Sequence, residues 1–149
     1  MAVWLGVDVG SVRIGVAKSD ATGLLASPLT VVRRDRRGGT DVAALVALAA
    51  EWEAAGFVVG LPVTLRGEEG ASAAMAREFA AALTAVAPDL AVTFVDERNT
   101  TVTAQQHLRA AGISARHQKE LVDARAAAIV LQLWLDRERA ATSTGEVTA

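Results

Sequence analysis

Hydrophobic residues form several short continuous runs along this chain, and the first of them is interrupted by a single acid. The run Val3–Val9 is apolar except for Asp8 and is typical of a strand buried on both faces. The turn signal Gly10-Ser11 and the alternation of apolar and polar residues that follows it predict a second strand, folded back as a hairpin. A third strand is predicted over residues 29–34, after Pro28.

The remainder of the chain alternates helical and strand patterns. Helical spacing, glycines and prolines predict the following elements: a helix from Thr40 or Asp41 to residue 55, a strand at 57–61, a helix at 72–86, a strand at 90–95, and helices at 100–111 and 117–139. This order predicts an α/β fold with a five-stranded mixed sheet, in which strand 2 is antiparallel, the first strand is central and helices cover both faces. We expect one domain over residues 1–139 and a disordered tail over 140–149.

Composition limits the classes of protein that need considering. The 149 residues suit one domain with a real core, and the absence of cysteine excludes disulfides, thiolate metal sites and thiol nucleophiles. No signal peptide or apolar 18-residue span is visible, so we expect a soluble, unexported protein without a membrane partner.

Charge is unevenly distributed, although the net charge is only -2. Six basic residues lie in the first 37 positions and form either a phosphate-binding surface or a solvated loop: Arg13, Lys18, Arg33, Arg34, Arg36 and Arg37.

Asp8 is the first candidate for chemistry, because a carboxylate within a buried strand needs compensation. A bound divalent cation or hydrogen bonds from turn amides would each supply it. The pair Asp96-Glu97 follows the predicted fifth strand. Open sheets of this type place their chemistry beyond the carboxyl ends of the strands, where we expect Asp8 and this pair to lie.

Asp123 is a third candidate acid, near the start of the last helix. The small residues Ala126 and Ala127 lie one turn further along and would let this helix approach the sheet closely. Stabilisation of the helix dipole is the alternative role for Asp123. Three acids with hard oxygen ligands suit Mg²⁺ or Mn²⁺, and the matching chemistry is metal-assisted phosphodiester hydrolysis.

Four sequence blocks, in order, resemble the signature motifs of the YqgF/RuvX family. They are residues 8–20 (DVGSVRIGVAKSD), residues 60–62 (GLP) with Gly67, residues 95–101 (VDERNTT) with Ala104, and residues 119–127, which contain Asp123. The resemblance extends from about residue 3 to residue 136. Val12 departs from the pattern, because the family usually has lysine at this position, and the change removes a positive charge beside the site.

The resemblance implies an RNase H-like fold, related to RuvC-type Holliday junction resolvases, and a cytoplasmic bacterial nuclease. Members of the family are described as pre-16S rRNA nucleases that process the 5′ end, and some as Holliday junction resolvases. The family's acidic positions correspond to Asp8, Glu97 and Asp123, which we therefore expect to be catalytic and to bind the metal. Its basic positions correspond to Arg13, Arg98 and Lys119; together with Lys18 from the basic N-terminal region, these are the predicted nucleic-acid-binding residues.

Other functions compatible with the pattern remain open. A resolvase acting on branched DNA would use the same metal chemistry as a nuclease acting on structured RNA, and resolution of a symmetric junction would call for a homodimer. A non-catalytic nucleic-acid-binding or regulatory module would retain the fold without cleavage. An actin-like or sugar-kinase ATPase also opens with an Asp-x-Gly-Ser hairpin, but 149 residues leave no room for the second domain that it needs.

Overall fold

The computed structural model describes residues 2–64, 66–96 and 115–148, and in the last range it describes side chains from Val122 to Ala141. Its elements are β1 (Val3–Val9), β2 (Arg13–Ser19), β3 (Ala26–Arg33), α1 (Thr40–Glu51), β4 (Ala54–Leu61), α2 (Ala71–Val86), β5 (Ala91–Asp96) and α3 (Ala115–Thr148). None of the helices in these ranges is long and apolar enough to cross a membrane.

The five strands form one mixed sheet in the order β3-β2-β1-β4-β5. β2 runs antiparallel to β1 and β3, whereas β4 is parallel to both β1 and β5. The predicted sheet, its central first strand and its antiparallel second strand are therefore confirmed.

The two faces of the sheet are covered by different helices, because successive side chains of a strand point to opposite sides. Leu5, Val7 and Val9 of β1 lie in a buried cluster with residues of α1 and α2. On the other face, α3 packs against β1, β2 and β3, and Trp4 of β1 contacts Trp134 with ring centroids 4.5 Å apart. The expectation of helices on both faces is confirmed.

Two helices end at residues other than the predicted ones. α1 ends at Glu51 and not at residue 55, because Ala54 already pairs with Val3 of the central strand. Glu53 makes the reversal with a φ of 51°, a conformation that the apolar pattern does not reveal. α3 continues through Thr148, past the predicted end at residue 139. The division between a domain and a tail at that point stays a prediction, and the predicted helix at 100–111 lies outside the described residues.

Candidate active site

Asp8 lies near the carboxyl end of the central strand, on the face covered by α3. It is half-buried, and its pairing partner across the hairpin is Gly15 of β2. Paired residues on antiparallel strands have Cα atoms about 5 Å apart and side chains on the same face. The position occupied by Gly15 therefore lies directly beside Asp8.

Gly15 lets α3 approach the sheet at this point. A Cβ atom added to Gly15 would overlap the carbonyl oxygen of Asp123, and one added to Gly6 would lie 2.7 Å from the carbonyl oxygen of Ala127. Glycine within a strand often marks a close approach of another backbone, and that is its role here. The close helix approach predicted from Ala126 and Ala127 is confirmed, and it brings Asp123 next to the strand position beside Asp8.

Arg13 joins these two acids on the same face and holds one of them directly. Its Nε atom donates to Oδ2 of Asp123 at 2.7 Å. The Arg13 side chain is 33% exposed and that of Asp123 is 25% exposed, so the ion pair lies at the edge of the interior, within reach of solvent. Asp123 therefore pairs with a cation supplied by the hairpin.

The other residues of the predicted site are described only in part. Asp96 ends β5, but the strand alternation that places Val95 in the cluster beside α3 places Asp96 on the opposite face. Glu97 and Arg98 lie outside the described residues, and Lys119 belongs to α3 with its side chain undescribed. Among the residues that the structure does describe, no group of three His, Cys, Asp or Glu side chains is placed to hold a metal.

Lys18 is not brought to the two carboxylates. It pairs with Leu5 in the β1–β2 ladder and shares that residue's face, which is the face covered by α1 and α2. Its ammonium group lies 4.4 Å from the ring centroid of Trp52, a cation–π contact. Its predicted role in nucleic-acid binding stays a prediction.

Arg34, which sequence reasoning placed on a basic surface or in a solvated loop, is a structural residue. Its side chain is only 11% exposed, and its Nε atom lies 3.1 Å from Oδ2 of the buried Asp41. Its Nη1 atom also donates to the carbonyl oxygen of Gly10 at 3.0 Å. Arg34 thus ties the turn that follows Asp8 to the start of α1. The hydrophobic spacing of α1 does not single out Asp41, so the sequence pattern offers no signal for this pair.

Hydrogen bonds also organise the loop between β3 and α1. The Thr40 hydroxyl and the backbone N–H groups of Gly38 and Thr40 donate to the Asp35 carboxylate and hold its pKa below the ordinary value. Because Asp35 is ionised at neutral pH, this loop keeps its shape there.

The sheet order and the placement of α3 define an α/β fold of the RNase H-like class, as in RuvC. A Thermus thermophilus RuvC solved with a Holliday junction substrate superposes with a TM-score of 0.52 at 17% identity, covering 87% of this chain and 92% of that chain. A second Thermus thermophilus RuvC structure gives a TM-score of 0.51 at 18% identity, covering 91% of this chain and 96% of that one. These likenesses establish the fold.

Sequence comparison identifies the family within that class. Residues 2–137 match the model of the RuvX family, described as "Holliday junction resolvase", and the chain belongs to this family. It is 45% identical over 145 residues to a Rhodococcus erythropolis protein, covering 95% of this chain and 82% of that protein. It is 50% identical over 138 residues to a Mycolicibacterium paratuberculosis protein, covering 93% and 82%. Both relatives are named "Putative pre-16S rRNA nuclease".

Proposed function

We propose that this protein is a divalent-metal-dependent nuclease that hydrolyses phosphodiester bonds in the 5′-end processing of pre-16S rRNA. The observation that carries the proposal is that the backbone of Asp123 packs against Gly15, the pairing partner of Asp8, near the carboxyl end of the central strand. Membership of the RuvX family and the names of its relatives support the reaction class and the RNA substrate.

The donor set fits Mg²⁺ or Mn²⁺. Asp8 and Asp123 offer hard carboxylate oxygens, and Arg13 beside Asp123 indicates that this position attracts a cation. Glu97 is the proposed third ligand. A metal ion held there would polarise the phosphate and lower the pKa of an attacking water.

The chain's own residues would position the substrate around this metal. Arg13, which lies on the face of the two acids, is the proposed phosphate contact within the described part of the site. Arg98, Lys119 and Lys18 complete the proposed nucleic-acid-binding set, and we place the protein in the cytoplasm, where ribosomal RNA is processed.

A side-by-side digestion tests this function. Purified protein is incubated with precursor 16S rRNA and with a synthetic four-way DNA junction, in Mg²⁺, in Mn²⁺ and in EDTA. Cleavage of the precursor near its 5′ end, dependent on either metal, is the expected result. Asp123→Asn should be inactive, whereas Asp136→Asn, an exposed acid on the same helix, should cleave as the wild type does.

The second candidate function is resolution of Holliday junctions, which the description of the family favours. Symmetric paired cuts in the four-way junction, with the precursor RNA left intact, would establish it, and a homodimer would then be needed to cut both strands. Absence of cleavage of both substrates with every metal would favour a non-catalytic nucleic-acid-binding or regulatory module.

A further inference from the structure

Arg13 has two roles to reconcile. It pairs with a carboxylate of its own protein, and it is the proposed contact for a phosphate of the nucleic acid. In the structure its Nε atom already donates to Oδ2 of Asp123 at 2.7 Å. A guanidinium group that is engaged with a carboxylate is less available for a phosphate, which is recognised through the same N–H donors. Asp123 is engaged as well. Its Oδ2 atom accepts from Arg13, whereas this oxygen would have to be free to bind a metal.

We propose that Arg13 and the divalent metal compete for Asp123, so that metal binding releases Arg13 to bind a phosphate of the nucleic acid. The proposal rests on the metal site put forward above and deepens it, because it assigns to Arg13 the coupling between metal loading and substrate binding. Arg13 is thus a positioning residue whose partner changes with the state of the site.

The surroundings of the ion pair favour exchange over a permanent structural role. The backbone of Asp123 lies against Gly15, the pairing partner of Asp8, so both acids belong to the same face of the sheet. Neighbouring carboxylates repel unless a positive charge lies near them. Arg13 supplies such a charge to Asp123. Its pair with Asp123 is one quarter to one third exposed, and ion pairs open to solvent are weak enough to be broken. A divalent ion carries twice the charge of the guanidinium group and interacts correspondingly more strongly with the same carboxylate.

A permanent pair in the same protein shows the contrast. Arg34 and Asp41 are almost fully buried, at 11% and 3% side-chain exposure, and Asp41 also accepts from the backbone N–H groups of Asp35 and Val42. Removal of either partner would leave a charge inside the protein. Arg13 can leave Asp123 for solvent or for a phosphate, since its side chain already reaches the surface.

Metal affinity is the first measurement, made by calorimetry with Mn²⁺ alone on the full chain. Arg13→Gln removes the competitor and should bind Mn²⁺ at least about fivefold more tightly than the wild type, in the usual range of coupling between two sites. Arg125→Gln is the matched control, because Arg125 is an exposed residue of the same helix two positions from Asp123. It removes the same charge and should change Mn²⁺ affinity by less than twofold.

Nucleic-acid binding is the second measurement, made by fluorescence anisotropy across a salt series. The probe is an RNA oligonucleotide from the 5′ region of precursor 16S rRNA, measured with EDTA and with Ca²⁺, a hard cation that takes the same oxygen ligands. With Ca²⁺ the slope of log affinity against log salt should be lower by about one in Arg13→Gln than in the wild type, and with EDTA the two slopes should agree. Arg125→Gln should show no such dependence on the cation.

The outcomes separate this inference from the proposed function. Wild-type protein that binds no metal by calorimetry would refute the metal site and the inference with it. Wild-type protein that binds Mn²⁺ with the same affinity as Arg13→Gln would overturn the inference alone, as would an Arg13 contribution to RNA binding that is equal in EDTA and Ca²⁺. If Arg13→Gln does not fold, Arg13→Ala serves instead: it removes both the charge and the Nε donor, so tighter Mn²⁺ binding supports the proposal and unchanged binding overturns it.

Discussion

Two acidic residues of this protein, Asp41 and Asp123, pair with arginines in surroundings that differ in how much solvent reaches them. Asp41 is 2% exposed and accepts hydrogen bonds from Arg34 and from two backbone N–H groups. Asp123 is more exposed and pairs with the Arg13 side chain, which reaches the surface. The cost of breaking an ion pair rises with burial. We therefore expect the Asp41 pair to stabilise the fold and the Asp123 pair to exchange its partner.

At the residue scale, the catalytic proposal predicts that Asp8→Asn lowers metal-dependent cleavage by about 10³-fold or more and leaves the fold intact. Asparagine has the shape of aspartate but lacks the charge that would hold the metal. Single-turnover cleavage and circular dichroism check the two parts. Glu97→Gln and Asp123→Asn should be similarly inactive, and double variants should lose little more, because the proposal makes the three acids one metal-binding unit. If Asp8→Asn cleaved at the wild-type rate, Asp8 would not be a catalytic residue.

The buried ion pair gives a stability prediction at the same scale. Asp41→Ala should lower the free energy of unfolding by about 3–5 kcal/mol, because Arg34 would remain buried without its counter-charge. Glu69→Ala is the matched control: it breaks the pair with Arg77, whose side chains are 39% and 50% exposed, and should cost about 1 kcal/mol or less. Urea unfolding of the two variants measures the difference. Equal losses would show that burial does not set the strength of these pairs.

At the element scale, the contact between α3 and the central strands decides whether the site forms. Gly6 and Gly15 have no side chains, so the helix backbone can lie directly against the sheet at these positions. Gln132 of α3 makes a further contact, with the segment that leads into β3. The Gln132 side chain accepts from the backbone N–H of Ala26 and donates to the carbonyl oxygen of Leu24, each at 2.9 Å. The helix is thereby held along the β2–β3 side of the sheet, with Asp123 beside β2.

Gly15→Ala tests this close approach. The added methyl group would overlap the Asp123 carbonyl, so we expect a loss of stability of about 1–3 kcal/mol or more and a displaced Asp123 with reduced cleavage. Gly70→Ala is the control, because nothing lies within 4 Å of a Cβ atom added there and its φ of -113° is accessible to alanine. Thermal unfolding and cleavage rates report the two effects. Wild-type activity in Gly15→Ala would mean that the helix position is not needed for the chemistry.

At the scale of the whole molecule, ligand binding to the native state should raise stability. If Mg²⁺ or Mn²⁺ binds between the acids, the free energy of unfolding should rise by about 2.7 kcal/mol at one hundred times Kd. The melting temperature in each metal and in EDTA checks this, and Asp123→Asn should lose most of the increase. If neither metal changed the melting temperature under conditions where the protein cleaves RNA, the free protein would not contain a preformed metal site.

Most of the architecture could be predicted from local sequence patterns. The apolar run of β1, the hairpin signal after it and the alternation of later strands and helices predicted the sheet, its central strand and its antiparallel neighbour, all of which are confirmed. These features depend on which residues are buried and on turn chemistry, both of which repeat along the chain with fixed periods. Family membership follows from the ordered motifs, which the family match over residues 2–137 confirms.

Side-chain partners were decided by tertiary structure. The sequence marked Asp8, Asp123 and Arg13 as candidates, but only the packing of α3 onto Gly15 shows that Arg13 reaches a carboxylate 110 positions away along the chain. The same holds for Arg34, a residue in a basic run that turns inward to Asp41, and for Lys18, which lies on the face opposite Asp8. Periodicity determines which face of an element is buried, whereas the partner of a long charged side chain depends on distances between elements that no local pattern encodes.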